Sequence, residues 1–172
     1  MIWRNILNKT RIIVLGALLA AIAALFQLIP YFFSEMLVLL TIFSGLPIYI
    51  ISRIKPQVGI LSYIVASVII MFFTLHEGLF FLCTNGIIGL SLGICNYYTK
   101  RKSIIWIISS FILTITLSIM NYGIGIPVFG GEIPGNMIIQ LAILLCFSVI
   151  YNIIYFYFLS FIFNRISKLR YF

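Results

Sequence analysis

His76 and Glu77 stand side by side in "MFFTLHEGLFFLCTNG", residues 71–86, between two apolar runs. His76 is the sole histidine of the chain and Glu77 one of three acids. An imidazole beside a carboxylate can relay a proton or ligate a metal. Zinc, however, takes three or four protein ligands, and the sequence supplies no further ligands near this pair. Cys83, Cys95 and Cys146 lie inside apolar runs without metal-ligand spacing, where a free thiol behaves as a small hydrophobe. There is no His-Glu-x-x-His, no Gly-x-Ser-x-Gly and no pair of acids within an apolar segment. The sequence therefore predicts no catalytic residue, no metal site and no cofactor, and the chain does not read as an enzyme.

What positions such residues is decided by the solvent around them. The chain has 172 residues, of which 63% are hydrophobic and 8% charged, with a mean hydropathy of +1.23. Soluble domains carry about 25% charged residues, so this surface must face lipid. The net charge of +8 is distributed as an orientation signal rather than as a nucleic-acid patch. The basic start "MIWRNILNKTR" and the "AIA" at 21–23 resemble a secretory signal. The apolar run nevertheless continues to Phe33, long enough to span a bilayer, which predicts a membrane helix.

Six stretches approach the 20 or so apolar residues that a crossing needs: residues 12–33, 36–52 (the shortest), 58–75, 79–97, 104–122 and 137–163. They predict an all-α, six-transmembrane-helix bundle within a single domain, 1–172. Arg4, Lys9, Arg11, Arg53, Lys55, Lys100, Arg101, Lys102, Arg165, Lys168 and Arg170 are all eleven basic residues, and all flank spans on one side. Glu35, Glu77 and Glu132 fall on the other. Basic flanks stay cytoplasmic, so both termini are expected in the cytoplasm of a multi-pass plasma-membrane protein of bacterial type. His76 and Glu77 are then expected in a short outer turn between spans three and four. There they form either a wet hairpin tip ended by Gly78 or, with Glu132, the recognition groups of a mouth.

Polar residues inside spans are the next candidates, since lipid-facing positions stay apolar. Ser110, Thr114 and Ser118 recur every fourth residue in span five. Gln140, Ser148, Asn152 and Tyr155 share a stripe in span six. Gln27, Tyr31, Thr84, Asn85, Asn121, Asn136 and Gln140 all fall in the outer half by count. Together with His76 and Glu77 they are the expected lining of a pocket for a small organic molecule. The glycine-rich connection "YGIGIPVFGGEIPGN", 122–136, would cover it, or serve only as a linker. No Asp, Glu, Lys, Arg or His lies within the body of a span, which argues against an ion channel or proton pump. The same hydroxyls and amides can instead glue helices together at about 0.5–2 kcal/mol each.

Span one, "GALLAAIAALFQLIP", carries two Ala-x-x-x-Ala pairs, Ala17 with Ala21 and Ala20 with Ala24. Small residues four apart let a second helix approach closely. With the Ala17–Ala21 pair, the "GLSLG" run of span four and the six-span spacing, the chain resembles the substrate-binding S components of energy-coupling-factor transporters. The resemblance implies a vitamin-like small-molecule substrate captured in the outer half. It also implies a transmembrane coupling protein packed on the alanine face and ABC-type ATPases that drive uptake. No vitamin-specific signature is present. The competing expectation is a scaffold of the cell envelope, like the MreD-like component of cell-wall elongation machinery, with no transport activity.

Overall fold

The computed structural model describes residues 9–33, 35–131 and 134–169. It is all helical, with no strand among these residues. Six helices are long and apolar enough to cross a membrane: Thr10–Phe32, Met36–Ile54, Pro56–Phe73, Leu75–Tyr98, Lys102–Ile124 and Met137–Arg165. The chain forms two compact units, divided between Lys100 and Arg101.

The first unit holds four spans. Helix α1 covers Lys9–Phe32. The second span opens as a 3₁₀ helix, Glu35–Ser44, and becomes α-helical only at α2, Gly45–Ile54. Pro47 explains the change. It cannot donate to the carbonyl of Phe43, and its ring crowds that carbonyl, so an α-helix starts cleanly at Gly45 but does not run through from above. Helix α3, Pro56–Phe73, begins with a proline at its first position. The fourth span is also broken, into α4, Leu75–Cys83, and α5, Asn85–Tyr98, with Thr84 non-helical between them.

Ala20, Ala23, Ala24, Leu28, Tyr63, Ala66, Ile70 and Phe81 form the apolar core of this unit. Alanine is what lets α1 lie close to α3, and Ser62 Oγ donates to the Gly16 carbonyl at 3.0 Å where the two cross. The tightest approach is between α2 and α5. A Cβ on Gly89 would lie 2.2 Å from the Gly45 carbonyl oxygen, and one on Gly93 2.8 Å from that of Tyr49. The "GLSLG" run is thus spent on packing within the chain.

The second unit pairs α6, Lys102–Ser118, with α7, Met137–Leu169. Helix α6 continues as a π turn, Ile119–Ile124, and stops at Gly125, whose φ of 78° suits glycine. At 33 residues, α7 is about 50 Å long, more than a bilayer requires. Ser110 Oγ donates to the Ser148 carbonyl at 3.4 Å, setting the register of two antiparallel helices.

Candidate functional site

In the first unit, Gln27, Glu77 and Asn85 are drawn together at the end away from Arg11, Arg53, Lys55 and Lys100. Gln27 on α1 is 2% exposed. Its Nε2 donates to Glu77 Oε2 at 2.8 Å, and its Oε1 accepts from Ser44 Oγ at 2.9 Å. A primary amide is well suited to this place, because it offers a donor to a carboxylate and an acceptor to a hydroxyl at once. Ser44, fully buried, is the last residue of the 3₁₀ helix. One turn above it the Thr41 carbonyl accepts from Asn85 Nδ2 at 3.1 Å. The two helix breaks, at Ser44–Gly45 and at Thr84, are therefore neighbours, and side chains from α1 and α5 hold the first.

The second break is satisfied in the same manner. Ending α4 leaves carbonyls without intrahelical donors. Tyr63 Oη donates to the Leu82 carbonyl at 2.7 Å, and the Thr84 hydroxyl donates to Phe80 O. In a membrane an unmet backbone group costs several kcal/mol. A tyrosine from α3 aimed at this carbonyl is therefore part of what permits the break.

His76 and Glu77 do not occupy the connecting turn. That turn is the single extended residue Thr74, and both lie in the first turn of α4, where a carboxylate also complements the helix dipole. They part ways there. Glu77 is half-buried and faces α1, whereas His76 is exposed and rests its ring on Phe80, centroids 4.7 Å apart. Tyr31 is exposed too, 54%, edge-on to Phe32, and does not join the Gln27 network. Asn85 does border it, through Thr41, while Thr84 returns its hydroxyl to Phe80.

In the second unit, Gln140 Oε1 accepts from Tyr122 Oη at 2.5 Å, and its Nε2 donates to the Gly135 carbonyl at 3.0 Å. Asn136 is exposed, and its carbonyl accepts the Gln140 backbone N–H at 3.0 Å. Asn121 is half-buried in the π turn. These residues tie the 122–136 connection to α7. Glu132 lies outside the described residues. Beneath the Tyr122–Gln140 pair runs a groove of about 780 Å³, walled chiefly by Phe111, Ile115, Ile119, Leu141 and Leu145. Its lining suits hydrocarbon rather than a polar solute.

In the span-five stripe Ser110 reaches across to α7, whereas Thr114 and Ser118 turn inward on their own helix. Thr114 Oγ1 donates to Ser110 O at 2.8 Å, Ser118 Oγ to Thr114 O at 2.7 Å, and Ser148 Oγ to Leu144 O at 2.7 Å. Asn152 Nδ2 donates to Ser148 O at 2.8 Å. The hydroxyls of Thr114, Ser118 and Ser148 each serve a carbonyl one turn back, as expected of serine and threonine in an apolar helix.

The two alanine pairs of α1 face different ways. Ala20 and Ala24 are 0% and 3% exposed in the core, whereas Ala17 and Ala21 are exposed beside Val14, Leu18 and Leu25. Among the described residues no three His, Cys, Asp or Glu side chains come together. Residues that sequence reasoning missed are Ser44, Thr41 and Tyr63. "SGLP" at 44–47 and "TNG" at 84–86 are start and break signals that could have found Ser44 and the two breaks, whereas no local signal marks Tyr63. Comparison with known proteins finds no family model, curated protein or solved structure that matches this chain.

Proposed function

We propose that this chain is the membrane-embedded capture subunit of an ATP-driven importer, similar to the S components of energy-coupling-factor transporters. It takes a small, vitamin-like molecule from the outer face of a bacterial cell membrane. The observation that carries the reading is the division of labour on α1. Its Ala20–Ala24 face and Gln27 are committed inward, to the core and to the Glu77–Ser44 network, while its Ala17–Ala21 face remains outside. A helix that carries both a polar binding group and an outward small-residue face can join a substrate to a coupling helix. The transmembrane coupling protein packs on Ala17 and Ala21, and its ABC-type ATPases supply the energy. The termini and basic ends face the cytoplasm, so the Glu77 end of the first unit opens outward. The chain itself hydrolyses nothing and binds no nucleic acid.

The test is co-purification in mild detergent from the native membrane. Recovery of a membrane coupling protein and ABC-type ATPases, lost in Ala17→Leu/Ala21→Leu, supports the reading. Ala20→Leu, by contrast, is expected to lower the yield of folded protein, because it fills a fully buried position. Recovery of cell-wall or division proteins without an ATPase would overturn it in favour of an envelope scaffold. That second reading is favoured by one observation: Ser110, Thr114, Ser118 and Ser148 spend their hydroxyls on helix carbonyls rather than on a cavity.

A further inference from the structure

We propose that α4 is a swinging segment, hinged at Thr74 and Thr84 and latched by the Glu77–Gln27 hydrogen bond. Release of the latch opens the buried polar groups at the two helix breaks to a neutral or cationic solute.

Nine residues of helix lie between two non-helical ones, Thr74 at φ −148°, ψ 123° and Thr84 at φ −123°, ψ −99°. Such positions absorb a rigid-body rotation with little change elsewhere. The other half of the span is not free to follow. Helix α5 is locked to α2, backbone on backbone, at Gly89 and Gly45, and Asn85 grips the Thr41 carbonyl. The Thr84 end of α4 is held by Phe81, fully buried, and by the Tyr63–Leu82 bond. Towards the Thr74 end, Gly78 rests on Met71 of α3, where a Cβ would lie 3.1 Å from the Met71 Cα, and the bond from Gln27 to Glu77, between residues 50 apart in sequence, is the polar tie.

That end also holds an unspent partner. Thr74 Oγ1 is buried without a hydrogen bond, and it precedes Glu77 by three residues, the spacing of a capping box. The Thr74 backbone is already in the extended conformation of an N-cap. A rotated α4 can therefore recover, through the Thr74 hydroxyl, part of what it loses at Gln27. Behind the latch stand Gln27, Ser44 and Asn85, exposed 2%, 0% and 8%. They offer amide and hydroxyl groups, and Glu77 is the charged side chain that faces them. A solute with N–H donors or a positive charge suits such a lining, whereas an anion is repelled by the carboxylate. This inference deepens the capture reading by giving its site an entrance.

The test needs neither a partner nor a transported molecule, so it fails separately from that reading. In a chain with Cys83, Cys95 and Cys146 replaced by alanine, Ser44→Cys places a thiol behind the latch. Ile51→Cys, in a second chain, places one at an equally buried site near the basic end of α2. Both are exposed in membranes to methanethiosulfonates bearing a 2-aminoethyl or a 2-sulfonatoethyl head, and modification is followed by intact mass. Hydrogen bonds to charged groups are strong enough that Glu77→Ala should raise the open population, and with it the rate at position 44, by about tenfold or more. Glu77→Gln keeps a neutral bond and should stay within a few-fold of the parent, and the aminoethyl reagent should outpace the sulfonate. The thiol at position 51 should remain slow throughout. An unchanged rate at position 44 in Glu77→Ala overturns the latch. Equal acceleration at positions 44 and 51 also overturns it, because that is loosening of the whole unit. A sulfonate reagent that reacts faster than the cationic one overturns the assignment of solute class.

Discussion

Gly89 offers the sharpest test of how the first unit is built. A Cβ there would sit 2.2 Å from the Gly45 carbonyl oxygen and 3.0 Å from its carbon. A carbon and a carbonyl oxygen settle at about 3.3–3.6 Å, so α5 and α2 must part by roughly 1 Å to admit one methyl group. Both atoms in the way are backbone, and no side chain can swing aside. Overpacking of this kind costs about 1–3 kcal/mol, and a backbone clash belongs at the upper end. Against it stands the helix-propensity gain of alanine over glycine, about 1 kcal/mol. Gly89→Ala should therefore lose about 2 kcal/mol, and Gly89→Leu should fail to fold. The same separation would pull Asn85 Nδ2 from the Thr41 carbonyl, 3.1 Å away. The assay is reversible unfolding in mixed micelles, with fraction folded followed against the SDS mole fraction. Gly131→Ala serves as the control, since a Cβ there meets nothing within 4 Å. A Gly89→Ala protein as stable as the parent, or more stable, would mean that propensity acts alone. The close crossing of α2 and α5 would then be refuted.

Two other outcomes follow from particular residues. Tyr63→Phe keeps the ring against Phe81, 6.0 Å between centroids, but strips the donor from the Leu82 carbonyl. A loss of about 1–3 kcal/mol is expected for the orphaned group, read from the same SDS titration. Orientation is tested in sealed vesicles, with His76→Cys and Lys100→Cys each in a chain lacking native cysteines. An impermeant maleimide added outside should label the thiol at position 76 and spare the one at position 100 until the membrane is opened; the reverse pattern would invert the topology.

The six spans are legible because a crossing helix must hide every backbone polar group, and only long apolar runs do so. The expected and observed limits differ by a few residues at most ends. The larger departures share one cause. Apolarity averaged along the chain predicts span two as one continuous helix and span four from 79, and such an average carries no local geometry. Pro47, three positions past Ser44, and Thr84-Asn85-Gly86 are the residues that break those spans. Their effect acts on one or two hydrogen bonds and vanishes in a twenty-residue average. Moving the start of α4 to Leu75 carries Glu77 from a wet turn onto a helix face, beside Gln27. Depth alone could not separate Gln27 from Tyr31, which lie four residues apart on α1. Burial does, at 2% against 54% exposed. The alanine pairs show the same limit. Three residues along a helix come to about 300°, only about 60° short of a full turn, so Ala17 and Ala20 are neighbours around α1, and it is the packing of α3 that buries Ala20 and leaves Ala17 outside.

The site is better understood as a consequence of the breaks than as a set of polar residues added to a finished bundle. An unbroken span two would present Ser44 to its own helix, as Ser148 and Thr114 do, with the hydroxyl returned to a carbonyl one turn back. At the junction from 3₁₀ to α, Ser44 points its hydroxyl to Gln27 instead. An unbroken span four would likewise need no tyrosine at Leu82 and would bring no Asn85 to Thr41. Each break thus converts groups that a continuous helix would satisfy internally into groups that call for partners from a neighbouring span. Those partners, Gln27, Tyr63 and Asn85, come from α1, α3 and α5. The polar network is therefore coupled to backbone geometry. Removing Gln27 strands a buried serine hydroxyl and a carboxylate together, while straightening either span would dissolve the network from below. That dependence is what separates this cluster from Thr114, Ser118 and Ser148, whose hydroxyls are met within their own helices.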